Sequence, residues 1–135
     1  MKTFSLRIYE ADDVFAEGEA EMVVIPTVDG EYGVMADHEN MVFSIIPGRL
    51  QYRMAGQETK MASVASGMMR VEDNDVLILT EAAEHPEEID LERARRKEAE
   101  AREAILQKKS IKDYYLAQAT LIRSINRMRV KRQSQ

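Results

Sequence analysis

Apolar and polar residues alternate in short stretches along the first 85 residues of the chain. The segments "FSLRI" (4–8) and "LQYRM" (50–54) follow a two-residue period, which is typical of strands with one buried face. Two other segments, "MVVIP" (22–26) and "VLIL" (76–79), are apolar throughout and predict strands buried more deeply. The pattern therefore predicts a β-domain over residues 1–85.

Turn-forming residues separate these segments. They occur in "VDGEYG" (28–33), "PGR" (47–49), "MAGQ" (54–57) and "EDND" (72–75). Short strands at this spacing favour an antiparallel β-sandwich. Eight of the nine methionines fall in this part, where we interpret them as core filler.

The pattern changes completely at Pro86. Residues 87–107 contain no glycine or proline and are rich in helix-forming residues, and Asp90 is placed to cap the helix. After a break at 108–113, a second helix is predicted over 111–130. The fold class is thus α+β: an N-terminal antiparallel β-sandwich (1–85) followed by a C-terminal antiparallel two-helix hairpin (86–135).

Side-chain patterns refine the hairpin. Charged residues four apart predict the pairs Glu92–Arg96, Arg96–Glu100 and Glu98–Arg102, each contributing about 0.3 kcal/mol. Ser110 and Asp113 resemble a capping box at the second helix. The apolar stripe of the first helix, which we expect to face the second helix, consists mostly of small residues: Leu91, Ala94, Ala101 and Ile105. The hairpin should therefore be only marginally stable, which makes it a candidate moving part.

Charge is divided unevenly along the chain. Residues 1–85 carry 16 acidic and 6 basic side chains, a balance of −10, whereas residues 86–135 carry 8 acidic and 13 basic ones, a balance of +5. A basic hairpin of this kind can meet an acidic surface. The chain has no cysteine, no apolar stretch of bilayer length and no secretory signal at its start, so a cytoplasmic location is expected.

Catalytic patterns are weak. His38 lies between Asp37 and Glu39, but adjacent residues rarely point at one another, and no nucleophile accompanies this histidine. The glycines of 28–33 lack the lysine and the strand-to-helix context of a phosphate loop. We therefore expect no active site within this chain and no catalytic or metal-binding residue.

A set of arginines is more informative. Arg123 and Arg127 are four residues apart and share one face of the second helix. In an antiparallel hairpin, both approach Asp90 and Arg93 at the start of the first helix. Three guanidiniums and a carboxylate could bind a polyphosphate. Two alternatives explain the same spacing: a solvated basic face, or contact with acidic residues of a protein partner.

The whole chain resembles the epsilon subunit of the bacterial F-type ATP synthase. The resemblance rests on "GEYG" (30–33), "IIPGRLQ" (45–51), "DVLILTEAAE" (75–84) and "IRSINRMRV" (122–130). The most specific match is "IDLERA" (89–94), which is similar to the Ile/Leu-Asp-x-x-Arg-Ala nucleotide motif of that family.

The resemblance implies a non-catalytic central-stalk subunit of the complex that couples ion flow to ATP synthesis. Its sandwich would bind the gamma subunit and the membrane c-ring, the latter through Glu31 and His38. Its hairpin would switch between a folded state and an extended state that inserts among the alpha and beta catalytic subunits and inhibits ATP hydrolysis. The protein would be peripheral, on the cytoplasmic face of the cell membrane, without direct membrane insertion and without a nucleic-acid partner.

The resemblance also implies a regulatory ATP site on the folded hairpin, with no cofactor required. Carried over by position, its residues are Glu84, Ile89, Asp90, Arg93, Ala94, Arg123 and Arg127. The sequence departs from the family pattern at four places, one of which is Ala65-Ser66-Gly67 in place of a Ser-Gly-Gly turn. Ala36-Asp37 replaces Pro-Gly, Asn40 replaces a proline, and Glu100 replaces an arginine carried by some ATP-binding members, which predicts weaker phosphate binding.

Two other functions fit parts of the sequence. A free-standing adaptor could bind nucleic acid or an acidic protein through the basic hairpin, although the acidic residues interleaved in the first helix and the acidic sandwich argue against it. An enzyme would rest on His38 alone. Strongly salt-dependent binding to duplex DNA or RNA would favour the adaptor.

Overall fold

A computed structural model describes residues 2–107 and 111–134. The chain separates into two compact units, Met1–Glu84 and His85–Gln135. Among the described residues, the regular elements of the first unit are strands and those of the second are helices. Each unit has its own set of internal contacts.

Nine strands form the first unit. They are β1 (Phe4–Glu10), β2 (Asp13–Thr27), β3 (Gly30–Val34), β4 (Met41–Ile45), β5 (Gly48–Met54), β6 (Thr59–Val64), β7 (Gly67–Glu72), β8 (Asp75–Thr80) and β9 (Ala83–Glu84). Their spatial order is β4-β7-β8-β1-β2-β5-β6-β9, with β3 beside β2. Buried side chains from both ends of this order form one core cluster. The two halves of the sheet therefore pack face to face as the predicted sandwich.

Strand β2 joins the two halves. Over its first part it pairs with β1, and over its last part with β3 and β5, with register shifts in its pairing with each of β1 and β5. Such irregularities bend a strand and let it serve two layers. The predicted antiparallel pairing is confirmed for every pair except β1–β8, which runs parallel. Because "VDGEYG" contains the strand β3, only its start forms the predicted turn.

The two-residue period of the sequence matches the observed burial. Phe4, Leu6 and Ile8 of β1 are completely or almost completely buried, and Leu50 and Tyr52 of β5 are as well. These side chains form the centre of the core.

The uniformly apolar run of β8 behaves differently from the prediction. Val76 and Ile78 are buried, but Leu79 is 41% exposed on the opposite face. The predicted deeper burial is therefore confirmed for the face that carries Val76 and Ile78 and is wrong for Leu79.

A two-residue turn joins β7 to β8. Asp73 and Asn74 both have positive φ, 48° and 62°, as a tight hairpin turn requires, and Asp and Asn tolerate this conformation best after glycine. The Asn74 side chain accepts a hydrogen bond from the Asp37 N–H (2.8 Å) and donates one to the Thr3 carbonyl (2.9 Å). This turn therefore ties the start of β1 to the loop before β4.

The second unit consists of a short 3-10 helix (Pro86–Glu88), α1 (Leu91–Gln107) and α2 (Ile111–Gln133). Lys131 near the end of α2 donates a hydrogen bond to the Pro86 carbonyl (3.1 Å), as expected for an antiparallel hairpin. The helix–helix seam buries mostly small side chains, together with Met128; these residues are Ala94, Ala101, Ala117 and Ser124.

Ion pairs on α1 differ from the predicted set. Glu98 and Arg102 form the expected pair (2.9 Å), but Glu92 pairs with Arg95 three residues away instead of Arg96 (3.6 Å). Arg96 and Glu100 do not pair within the described ranges, since both side chains extend into solvent. The predicted capping box at Ser110 and Asp113 lies outside the described side chains.

Candidate functional site

The start of α1 is built around Asp90. Its Oδ1 atom accepts a hydrogen bond from the Arg93 N–H (3.1 Å), and its carbonyl accepts one from the Ala94 N–H (3.0 Å). These contacts are those of an N-cap residue, which satisfies backbone donors that the first helical turn leaves without partners. Asp90 is exposed, so its second carboxylate oxygen faces solvent.

Ile89 and Ala94 flank this cap but are not surface side chains. Ile89 is 4% exposed and its N–H donates to the Pro86 carbonyl (3.2 Å), while Ala94 is fully buried in the seam. A ligand at the surface could therefore meet these residues only through backbone atoms.

The predicted arginines share one side of the hairpin. Successive helical residues are rotated by about 100°, so Asp90 and Arg93 lie on the same side of the α1 seam. In an antiparallel pair, the matching side of α2 carries Arg123 and Arg127. We call the surface formed by Asp90, Arg93, Arg123 and Arg127 the motif face.

Cations on the motif face differ in exposure. The side chains of Arg93 and Arg123 are exposed and form no hydrogen bond or ion pair with any residue in the described ranges, whereas Arg127 is half-buried. Cationic groups held on one side of a hairpin by helical geometry attract an anion with several negative charges. Glu100 lies on this same side and opposes that attraction.

Glu84, the remaining predicted ATP contact, belongs to the first unit. It is the last residue of β9 and pairs in register with Ser63 of β6. Its backbone is thus fixed at the edge of the sandwich.

The two residues predicted to contact the membrane ring lie on β3 and in the loop that follows it. Glu31 of β3 forms an ion pair with Arg49 (2.8 Å). His38 is hydrogen-bonded through Nε2 to the hydroxyl of Tyr32, the next residue on β3 (2.8 Å), and its ring lies edge-on to Tyr32 and Phe43.

Both ring nitrogens of His38 are held by hydrogen bonds within the sandwich. Its Nδ1 atom is 2.7 Å from the Glu39 carbonyl oxygen, so Nδ1–H donates and Nε2 accepts from Tyr32 in the neutral ring. The Asp37 carboxylate, the neighbour suggested by sequence, is paired with Lys2 (3.0 Å). Within the described residues, no group of three or more His, Asp or Glu side chains could hold a metal ion.

Sequence reasoning missed an apolar row on the outer face of the sandwich. Met68 of β7 and Leu79 of β8 are direct cross-strand partners and are 39% and 41% exposed, while Val42 of β4 on the same face is 65% exposed. We call Val42, Met68 and Leu79 the outer apolar row. The available signal was the uninterrupted "VLIL" run, which is apolar on both faces of its strand.

Comparison with protein families accounts for both units. The model of the ATP synthase delta/epsilon chain β-sandwich domain matches residues 3–86, and that of the delta/epsilon chain long α-helix domain matches residues 87–132. The chain belongs to the ATP synthase epsilon-chain family. The epsilon chain is a non-catalytic subunit of ATP synthase, so the predicted family and the absence of an independent enzyme activity are confirmed.

Similar epsilon chains extend over nearly the full sequence. The ATP synthase epsilon chain of Caldicellulosiruptor saccharolyticus is 37% identical over 130 residues, covering 96% of this chain and 94% of the relative. The epsilon chain of Shouchella clausii is 38% identical over 130 residues, covering 96% of each. This membership favours a synthase subunit over a free-standing adaptor.

A solved structure agrees at the level of the fold. A chain in the Euglena gracilis mitochondrial ATP synthase assembly of OSCP, F1 and c-ring superposes with a TM-score of 0.80 at 26% identity, covering 92% of this chain and 78% of that one. No helix among the described residues combines the length and apolar character needed to cross a bilayer.

Proposed function

We propose that this epsilon chain is a central-stalk subunit whose helical hairpin senses ATP and restrains ATP hydrolysis. In the folded hairpin, ATP binds the motif face and stabilises that state. Without ATP, the hairpin opens, reaches the alpha and beta catalytic subunits and blocks hydrolysis, so that the complex couples ion flow to ATP synthesis without wasting ATP.

The observation that carries this proposal is the shared motif face. The exposed guanidinium groups of Arg93 and Arg123, which have no side-chain partner in the described ranges, lie on the same side as Arg127 and the Asp90 carboxylate. Guanidinium groups match the geometry of phosphate oxygens, and a carboxylate accepts a hydrogen bond from a neutral amino group such as that of adenine. Ile89 and Ala94 complete the proposed contacts through their backbone.

ATP can act as a switch only if it binds one hairpin state more tightly than the other. A helix pair joined through small side chains is suited to this role, because its opening costs little buried apolar area. Ligand at 100 times its Kd stabilises the binding state by about 2.7 kcal/mol, which is enough to reverse a marginal equilibrium.

Surfaces on the two units support the proposed partners. The outer apolar row docks against gamma, because an apolar sheet face is stabilised by a protein that covers it. Glu31 and His38 face the polar loops of the membrane c-ring, and the basic hairpin segment meets acidic residues of the alpha and beta subunits. The chain then sits peripherally on the cytoplasmic side of the membrane.

The test is hydrogen exchange of the full chain with and without ATP. At ATP concentrations 100 times the Kd, amides of α1 and α2 that exchange through hairpin opening should exchange about 100-fold more slowly. Arg93→Gln should abolish most of this protection and the ATP heat measured by calorimetry.

A matched control removes one arginine elsewhere on the same helix. Arg96 points away from the seam and has no partner in the described ranges, so Arg96→Gln should leave the ATP protection intact. An equal loss of ATP protection in both variants would show that the effect depends only on net charge. Unchanged exchange at saturating ATP would refute the sensor, and undiminished hydrolysis after adding the chain to an epsilon-depleted catalytic sector would refute the restraint.

A further inference from the structure

A second polar surface lies on the side of the hairpin opposite the motif face. There α1 and α2 border a cleft of about 330 Å³. Its α1 wall contains Glu98 and Arg102, and its α2 wall carries two further arginines; the α2 lining residues are Ile125, Met128, Arg129, Arg132 and Gln133. None of these residues belongs to the motif face.

The charges of the cleft favour an anion. Three arginines against one glutamate give the lining a net charge of +2. Glu98 is neutralised by Arg102, since its Oε1 atom accepts from both Nε (3.0 Å) and Nη2 (2.9 Å) of that guanidinium. This pair fixes the Arg102 side chain and leaves its Nη1 group to bind a ligand.

The two arginines of α2 are not engaged elsewhere. The side chains of Arg129 and Arg132 are exposed and form no hydrogen bond or ion pair with any residue in the described ranges. They are three positions apart, so both project to the same side of α2. Each carries planar donors that match the oxygens of a phosphate group.

The cleft also has an apolar component. Ile125 is half-buried and Met128 is 6% exposed, and both contribute to its lining. Methionine adapts its shape to flat or irregular apolar groups. A purely inorganic anion would leave this apolar lining unused, and the volume is within the lower range of small-ligand sites, about 300–1,000 Å³.

From this arrangement we infer that the cleft binds a phosphate monoester of a small organic molecule. The phosphate lies between Arg102, Arg129 and Arg132, and the organic part lies against Ile125 and Met128. This site is separate from the motif face and does not require the proposed ATP site to exist.

The experiment follows methyl and guanidinium NMR signals of the full chain during titration with AMP and, in parallel, with inorganic phosphate. AMP should shift the Ile125 and Met128 methyl signals in a saturable way. Inorganic phosphate should shift the Arg129 and Arg132 Nε–H signals but bind more weakly, because it lacks the apolar contact.

Variants decide whether the cleft is the site. Arg129→Gln and Arg132→Gln should each weaken the AMP response about tenfold or more, since each removes a charge-assisted hydrogen bond. Both positions are exposed, so circular dichroism should show unchanged helicity. Arg96→Gln serves as a charge control, and Arg93→Gln on the motif face should leave these methyl shifts intact.

Several outcomes would overturn the inference. One is the absence of saturable methyl shifts, and another is equal affinity for AMP and inorganic phosphate. A response lost with Arg93→Gln but kept with Arg129→Gln would assign binding to the motif face. Displacement of AMP by hexaglutamate at equal concentration would assign the cleft to acidic polypeptides instead.

Discussion

At the scale of single residues, two departures from the family pattern have a structural explanation. Asp37, where the family has glycine, adopts a positive φ of 64°, and its N–H is bound by Asn74. Asn40, where the family has proline, accepts a hydrogen bond from the Asp73 N–H (2.8 Å). The loop before β4 is therefore held by side-chain contacts with the β7–β8 turn instead of by proline and glycine.

This network gives a stability prediction for Asn74. Asn74→Ala removes two hydrogen bonds, each contributing about 1 kcal/mol, and places alanine in a left-handed conformation that costs about 1 kcal/mol more. The free energy of unfolding of the sandwich should fall by about 3 kcal/mol in urea denaturation. Asn74→Gly keeps the backbone freedom, so it should lose only about 2 kcal/mol; an equal loss in both variants would show that φ contributes nothing.

At the scale of elements, the sequence pattern located both helices and four of the nine described strands, namely β1, part of β2, β5 and β8. β1 and β5 were identified because one face of each is buried, and the alternation follows directly. β3 was interpreted as a turn because its residues are polar and glycine-rich, and its pairing with β2 depends on contacts distant in sequence. The full length of β2 could not be predicted, since its irregular pairings depend on the strands beside it.

The local geometry of the candidate site was predictable in part. Asp90 was recognisable as a cap from local sequence, and the four-residue spacing of Arg123 and Arg127 placed them on one face. The burial of Ala94 agrees with its place in the predicted facing stripe, whereas the burial of Ile89, which precedes α1, could not be foreseen because it depends on how the hairpin closes. The cleft was missed for the same reason, since spacing does not indicate which side of a hairpin stays open.

The composition of the motif face leads to a prediction for α1. Glu100 places a negative charge on the same side of the hairpin as the three cations, so Glu100→Arg should tighten ATP binding about tenfold through an added charge-assisted contact. Calorimetric titration of the full chain measures this change. Glu92→Arg makes the same charge change on another side of α1 and should have little effect; equal tightening in both variants would point to net charge alone.

At the scale of the whole molecule, the outer apolar row predicts where a partner docks. Leu79→Glu should weaken gamma binding at least tenfold, because a carboxylate would be buried without a partner in the interface. Co-purification and calorimetry with gamma test this. The chain should still fold, because Leu79 is not a core residue, and its thermal transition should remain within a few degrees.

A matched variant tests whether an acidic substitution at any exposed leucine weakens gamma binding. Leu106 of α1 is 80% exposed and lies in the other unit, so Leu106→Glu should leave gamma binding unchanged. Normal gamma binding by the Leu79→Glu chain would mean that gamma docks on a different face of the sandwich.

The outer apolar row has a consequence for the chain before it is assembled. Two copies could cover their rows against each other, and what separates them is the −10 balance of the sandwich segment. Salt screens this repulsion, whose range is about 10 Å at 0.1 M salt and shorter at higher concentrations. Unassembled subunits should therefore associate with one another most readily at high ionic strength. Solubility of the free subunit is then a property of its acidic surface, and a cell that makes it in excess over its partners accumulates a protein prone to self-association.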